Sequence, residues 1–352
     1  MTHRIDMILD FQYGSTGKGL IAGWLAKRLK YDTAVCAFAT NAGHTYIDNE
    51  RGLSVMTQQL PTAITSPSVK NILLGPGSAI SAEVLLSEMQ RYSRWIAGKK
   101  IMIHPHAVVV EEEHANFELR DGRTNMGSTA KGVGEAYIER IRRDTTNSNI
   151  VAVRWRDHPI LKNLVVTIEE YEATLAAAEN VIIEGAQGFS LSMYHGQYPY
   201  TTSRDVTPWQ VAADCGIPFR WASRIAIIGT LRTYPIRVNN RTGSSGPCYP
   251  DQIEIDWEHI GIQPEMTTVT KLPRRIFTFS QTQLKHAMMH CGHYWQTDLF
   301  LNFANYMKPD EVEALIRLIE SSGPNAPRVK WLGYGPDDSN VIAREEYDLE
   351  IE

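Results

Sequence analysis

Apolar residues fall along this chain in short runs, and most runs end in a glycine or a polar turn. IDMILDF (5–11), AVCAFAT (34–40), VKNILLGPG (69–77), KKIMIHPHAVVV (99–110), ENVIIEGAQG (179–188), SRIAIIGTLRTYPIRV (223–238), DLFLNFANY (298–306) and RVKWLGYGPD (328–337) read as strands. Between them the period changes. Leu20, Ile21, Trp24, Leu25 and Leu29 share one helical face, and Val84, Leu85, Met89 and Tyr92 form a stripe in a helix over 81–96 with Ser81 as its N-cap. Strands alternating with helices predict α/β architecture, a single large domain over 1–352 around a mostly parallel sheet. From Asn239 to Arg275 glycine, proline and threonine are frequent and no period is evident, which predicts long loop excursions over about 239–275.

The first strand, turn and helix carry the clearest chemistry. In QYGSTGKG (12–19), Gly14, Gly17 and Gly19 allow a tight turn with amides pointing inward, Lys18 adds a positive charge, and a helix N-terminus follows. This is a phosphate cradle. It is not the standard G-x-x-x-x-G-K-[ST] loop, because the loop is one residue short and Gly19 stands where a metal-binding hydroxyl would be. A second polar loop, NAGHT (41–45), follows the 34–40 strand at the end where open α/β sheets bind ligands. There Asn41 offers a bidentate amide, Gly43 an approachable carbonyl, and His44 a group that exchanges protons near neutral pH. NMGSTAKGVGEAY (125–137) reads as another glycine-rich loop running into a basic helix, and YHGQYPYTTSRDVTP (194–208) as a polar, aromatic loop of the kind that lines a site.

Composition narrows the class. A net charge of -5 argues against a nucleic-acid or anionic-membrane binder, and no apolar run approaches membrane-spanning length. The four cysteines are scattered without a C-x-x-C, and MTHRIDM lacks the apolar run of a secretory leader, so a reducing cytoplasm is expected. HAMMHCGH (286–293) places His286 and His290 four apart on a helix, yet no second ligand pair at metal-site spacing accompanies it and it lies outside the glycine loops. It reads first as a packed or exposed histidine group.

In order along the chain, these motifs resemble the adenylosuccinate synthetase family. QYGSTGKG resembles Q-W-G-D-E-G-K-G, NAGHT and EGAQG are identical to family motifs, GSTAKGVGEAY resembles G-T-T-G-R-G-I-G-P-A-Y, YPYTTS resembles Y-P-Y-V-T-S, and GYGPD resembles S-T-G-P-D. The resemblance implies a P-loop-NTPase-like fold and an enzyme that passes the γ-phosphoryl group of a nucleoside triphosphate to a 6-oxopurine and then displaces it with aspartate. It implies that Gly14, Ser15, Thr16, Gly17, Lys18 and Gly19, with Gly43, His44, Thr45, Asn305, Gly335 and Pro336, hold the triphosphate nucleotide. Asn41, Ser128, Thr129, Gln187 and Thr202 would hold the purine nucleotide, with Ser15 beside them, and Arg143 its 5′-phosphate across a homodimer interface. Thr268, Val269, Thr270 and Arg274 would grip aspartate. Ser15, His44 and Lys18 would be the catalytic residues, His44 as acid or hydrogen-bond donor to the transferring group and Lys18 as charge neutraliser, with Ser15 and the Gly43 carbonyl as Mg2+ ligands.

Three departures redirect the substrate. Ser15 replaces the family's Asp, which takes the N1 proton of IMP and ligates magnesium. Ala304 stands where the family's guanine-reading Asp aligns. Leu272 replaces an Arg that contacts a ribose 2′-hydroxyl. Together they resemble the bacteriophage branch of the family, which joins aspartate to dGMP, with ATP or dATP, on the way to 2-aminoadenine DNA. The alternatives are an ordinary family member acting on IMP and a nucleotide binder without catalysis; retention of Lys18, Asn41, His44 and Gln187 together weighs against the second.

Overall fold

In the computed structural model, β1 (Arg4–Asp10) is the middle strand of a nine-stranded sheet. The structure describes residues 4–126, 128–143, 150–240, 244–267, 271–293, 297–322 and 326–344. The expected aspartate contacts Thr268, Val269 and Thr270 lie outside the described residues. In chain order the other strands are β2 (Thr33–Cys36), β3 (His44–Asp48), β4 (Leu53–Thr57), β5 (Asn71–Leu74), β6 (Ala79–Ile80), β7 (Lys100–Ile103), β8 (Val108–Val109), β9 (Asn180–Glu184), β10 (Ile225–Arg232), β11 (Ile236–Arg237), β12 (Glu254–Ile255), β13 (Arg275–Phe277), β14 (Asp298–Asn302), β15 (Arg328–Gly333) and β16 (Val341–Ala343). The helices are α1 (Lys18–Arg28), α2 (Ala82–Arg91), α3 (Ser93–Ile96), α4 (Glu112–Arg120), α5 (Val133–Arg142), α6 (Ile168–Ala177), α7 (Pro208–Asp214), α8 (Gln281–Cys291) and α9 (Pro309–Glu320).

The sheet order is β16-β15-β14-β10-β1-β9-β2-β5-β7, and every pairing is parallel except β15 with β16. The chain leaves β1 for β2 on one side and later crosses from β9 to β10 on the other, so the carboxyl ends around β1 form a switch point. Successive side chains of β1 face opposite ways. Ile8 joins one apolar cluster with α1 and Leu85, while Met7 and Leu9 join another with Leu284 and Ile316. Both faces are covered, which is why the strands read as continuous apolar runs.

The α/β, mostly parallel expectation holds, and its exceptions have local causes. The 34–40 strand stops at Cys36, with only a bridge from Ala39 to Ala79 beyond it. His44 and Thr45 leave the NAGHT loop and open β3, which pairs with β4 as a hairpin. The 81–96 helix breaks at Tyr92, whose hydroxyl accepts from the Met56 amide (2.9 Å) and donates to its carbonyl (2.8 Å). The 125–137 loop is shorter than expected because α5 begins at Val133. Within 239–275 the chain builds part of a three-stranded antiparallel sheet, β11-β13-β12, around Ile236, Trp257 and Ile276. Those strands are too short to leave a period in the sequence. Among the described residues no helix is long and apolar enough to cross a membrane.

Fully buried Phe300 of β14 sits beneath the glycine turns of two neighbours. A Cβ added at Gly17 would come within 3.3 Å of its ring, and one at Gly333 within 2.8 Å. Phe300→Ala is expected to lower the unfolding free energy by about 3–5 kcal/mol, measured as a shift of the urea midpoint at constant slope.

Candidate active site

Asp10, the last residue of β1, is fully buried and turns its carboxylate under the glycine loop. Oδ1 accepts from the amides of Gln12 (2.8 Å) and Gly14 (3.2 Å), while Oδ2 accepts from the Thr16 hydroxyl and from Lys18 Nζ (3.2 Å). Lys18 donates also to the carbonyl of Gln187 (2.9 Å), and Gln187 Nε2 to Asn41 Oδ1 (3.2 Å). These bonds draw the 14–19 loop, the NAGHT turn and the EGAQG turn into one place. No side chain caps α1 and no acidic residue stands in its first turn, so the dipole of α1 adds to the positive charge of Lys18 beside the loop.

Gly17 has φ 92°, and a Cβ there would meet Asn302 Nδ2 at 2.1 Å, so only glycine fits. Asn302 Nδ2 donates to the Thr16 carbonyl (3.2 Å), tying the loop to the end of β14, beside which Asn305 lies. The turn carrying Gly335 and Pro336 is anchored from below. Arg28 donates to both oxygens of Asp338 (3.0 and 3.1 Å), and Tyr46 and Lys27 donate to the same carboxylate. Burial opposes the Asp338 charge, but these donors hold its carboxyl below the usual range. Ala304, expected where a base is read, is fully buried in the second apolar cluster and presents no polar edge.

His44 is buried, stacked on Phe38 with ring centroids 3.7 Å apart, and its Nδ1 lies 2.9 Å from Glu184 Oε1. An ionised carboxylate only accepts, so Nδ1 carries the proton of that bond. Nε2 is buried with no hydrogen-bond partner among the described residues. The other Glu184 oxygen accepts from the amide (2.8 Å) and hydroxyl (2.9 Å) of Thr62. The imidazole is thereby fixed in orientation with one nitrogen uncommitted.

Arg232, the last residue of β10, is the largest fully buried side chain among the described residues. Gln12 grips its backbone at both ends, accepting from Arg232 N (2.9 Å) and donating to its carbonyl (3.2 Å). The guanidinium lies 3.7 Å over Phe303, donates to the Ser15 carbonyl (3.1 Å) and pairs with Glu265. Glu265 accepts in turn from the Tyr306 hydroxyl (3.3 Å), and its carbonyl from the Arg274 amide (2.8 Å). Ser15 and Arg274 are thus joined through one ion pair, buried at Arg232 and half-buried at Glu265. Burial lowers the pKa of the Arg274 guanidinium, and the Glu265 charge partly offsets it. Burial and the same charge push the Tyr306 hydroxyl up to about 12.

Ser15, Gln187 and Phe303 all hold left-handed φ, between 58° and 63°, where a side chain strains the backbone. Of the remaining expected residues, Ser128 accepts from the Ala130 amide (3.1 Å), and Thr40 reaches the Lys131 carbonyl (3.3 Å), bringing the Ser128–Thr129 loop beside the NAGHT turn. Thr202 is held by its amide to the Leu191 carbonyl (2.7 Å). Arg143, exposed at the carboxyl end of α5, is not among the residues these contacts gather. Asp10, Glu184, Arg232 and Glu265 were not expected. The first three end apolar strands beside glycine or polar turns, a position that could have marked them.

The family model for adenylosuccinate synthetase matches residues 7–154 and 149–303. The chain belongs to the adenylosuccinate synthetase family. Within that family it is 44% identical to the N6-succino-2-amino-2'-deoxyadenylate synthase of Vibrio phage phiVC8, over 97% of this chain and 98% of that one. It is 31% identical to the adenylosuccinate synthetase of Methanocaldococcus jannaschii, over 78% of this chain and 75% of that one. The structure of cyanophage S-2L succinoaminodeoxyadenylate synthetase, bound to dGMP and to dATP as an energy donor, superposes with a TM-score of 0.89 at 40% identity, covering 97% of this chain and 96% of that one. The adenylosuccinate synthetase fold therefore places the family's glycine loop at the carboxyl end of β1.

Removing the Asp10 carboxylate would leave the buried Lys18 ammonium with one neutral acceptor. Asp10→Ala is expected to cost about 3–5 kcal/mol of stability, and Asp10→Asn, which keeps an acceptor for the loop amides, less. Urea unfolding of the three proteins side by side checks the order.

Proposed function

We propose that this chain is a ligase that joins L-aspartate to C6 of dGMP, using ATP or dATP and a 6-phosphoryl intermediate, to give 2-amino-2'-deoxyadenylosuccinate. The observation that carries the reading is Ser15. It stands exposed at the lip of the cradle, with its carbonyl held by Arg232, at the position of the family's Asp. A hydroxymethyl group there leaves room beside N1 and C2 of a guanine, where a carboxylate would meet the 2-amino group. The likeness to phage enzymes named for this product, and to one whose structure has dGMP and dATP bound, supports the same reading.

Each step has a group suited to it. Phosphoryl transfer demands positioning and charge neutralisation more than covalent help. The loop amides and Lys18 hold the triphosphate, exchanging the Asp10 contact for a phosphate one. His44, its Nδ1 fixed by Glu184, turns Nε2 to the transferring group. Asn41, Gln187, Ser128, Thr129 and Thr202 hold the deoxynucleotide, and Arg274 takes an aspartate carboxylate as a bidentate fork. Leu272 offers no polar partner to a 2′-hydroxyl. The functional unit is a homodimer in which Arg143 serves the 5′-phosphate of the neighbouring copy. The exposed Ser15 hydroxyl and Gly43 carbonyl are hard oxygen donors of the kind Mg2+ takes, alongside phosphates and water. When bound, Mg2+ supplies charge neutralisation for the phosphates.

Purified protein with aspartate, Mg2+ and ATP or dATP is expected to release phosphate only when dGMP is added, and to turn over IMP poorly. Preferential turnover of IMP with GTP would overturn the proposal. Ser15→Asp should shift preference toward IMP. His44→Ala should lower kcat by roughly 10²–10⁴-fold with little change in the KM for dGMP, and Glu184→Gln by less.

A further inference from the structure

The histidines of α8 meet a third one from a distant part of the sequence. His286 and His290 lie one turn apart on the same helical face, and His195 comes from the loop that follows the EGAQG turn. One ring nitrogen or equivalent ligand atom of each lies within 4.8 Å of one from each of the others, and all three rings are half-buried. The His195 and His290 rings are 4.1 Å apart, and Phe189 packs against all three at 5.1–5.7 Å. Among the described residues this is the one such group.

We propose that His195, His286 and His290 form a binding site for a divalent cation of the zinc class, which fastens α8 to the loop over residues 188–207. Zinc–nitrogen bonds of about 2.0–2.1 Å set tetrahedral ligand atoms about 3.4 Å apart, a spacing that small side-chain rotations reach from the one present. Imidazole donors select zinc, nickel or copper over magnesium, so this site and the proposed Mg2+ ligands take different ions.

A second observation points to the same ion. The Asp205 carboxylate is 7% exposed, and its Oδ2 lies 4.0 Å from His195 Nε2 while accepting from the Thr207 hydroxyl (2.8 Å). Its Oδ1 is buried with no hydrogen-bond partner among the described residues. Such an oxygen is costly to bury without a partner, and a carboxylate beside ligating imidazoles is the usual companion of a metal. Tyr249 adds a polar wall, its hydroxyl 3.4 Å from His286 Nδ1. Because Gln187 precedes and Thr202 lies within the fastened loop, the ion would steady the nucleotide side of the site. The binding itself stands whether or not the ligase reading does.

The test uses the untagged full chain, freed of metal by a chelator. Zn2+ is titrated against a chromophoric chelator, and thermal unfolding is followed with Zn2+ or Mg2+ added. One equivalent of Zn2+ is expected to bind and to raise Tm, with no matching effect of Mg2+ at the same concentration. His286→Ala/His290→Ala should weaken Zn2+ binding by ~100-fold or more and abolish the Tm rise, and Asp205→Asn should weaken it by about 10–100-fold. Far-UV circular dichroism confirms folding, and the milder His290→Gln carries the same comparison should the double variant not fold. Failure of the wild-type chain to bind one equivalent, or equal affinity in the wild-type, His195→Ala and α8 variants, would overturn the proposal.

Discussion

A buried carboxylate at the end of β1 organises the ligand end of this molecule. Asp10 has no access to water, so among the described residues its carboxylate is supported by the loop amides, the Thr16 hydroxyl and the Lys18 ammonium. Satisfying it forces the QYGSTGKG segment to curl over the strand and brings Lys18 within reach of Gln187. In the standard P-loop the lysine waits for phosphate. Here it is already paired from within, with Asp10. That keeps a lysine with only 8% exposure compatible with a stable fold.

Much of this was legible in the sequence, for identifiable reasons. Buried parallel strands leave continuous apolar runs, and glycine-rich turns at their carboxyl ends mark a switch-point site, so the sheet and the 14–19, 41–45 and 185–188 turns could be read directly. What could not be read depends on spatial neighbours. Glu184 and Arg232 look like the polar last residues of strands until Thr62 and His44, or Ser15 and Glu265, are seen against them. The small sheet of β11, β13 and β12 escaped because strands of two or three residues carry no period.

The histidines illustrate the same limit. On α8 alone, two imidazoles one turn apart have an ordinary explanation as packed side chains. Their third partner lies in a loop whose tyrosines and threonines pointed to nucleotide contact instead. The objection that the pair sat away from the glycine loops fails in three dimensions, since Phe189, one residue beyond the EGAQG motif, packs against all three rings.

The left-handed backbone at Ser15, Gln187 and Phe303 has a bearing on how this active site can evolve. Glycine would adopt those angles at lower conformational cost, yet Ser15 stands exposed in the glycine loop, Gln187 donates to Asn41 and Phe303 lies under the Arg232 guanidinium. The chain therefore forgoes stability at three places around the candidate site. Selection for robustness alone would drift these positions toward glycine, whereas exchanging one strained side chain for another would leave the backbone cost nearly constant.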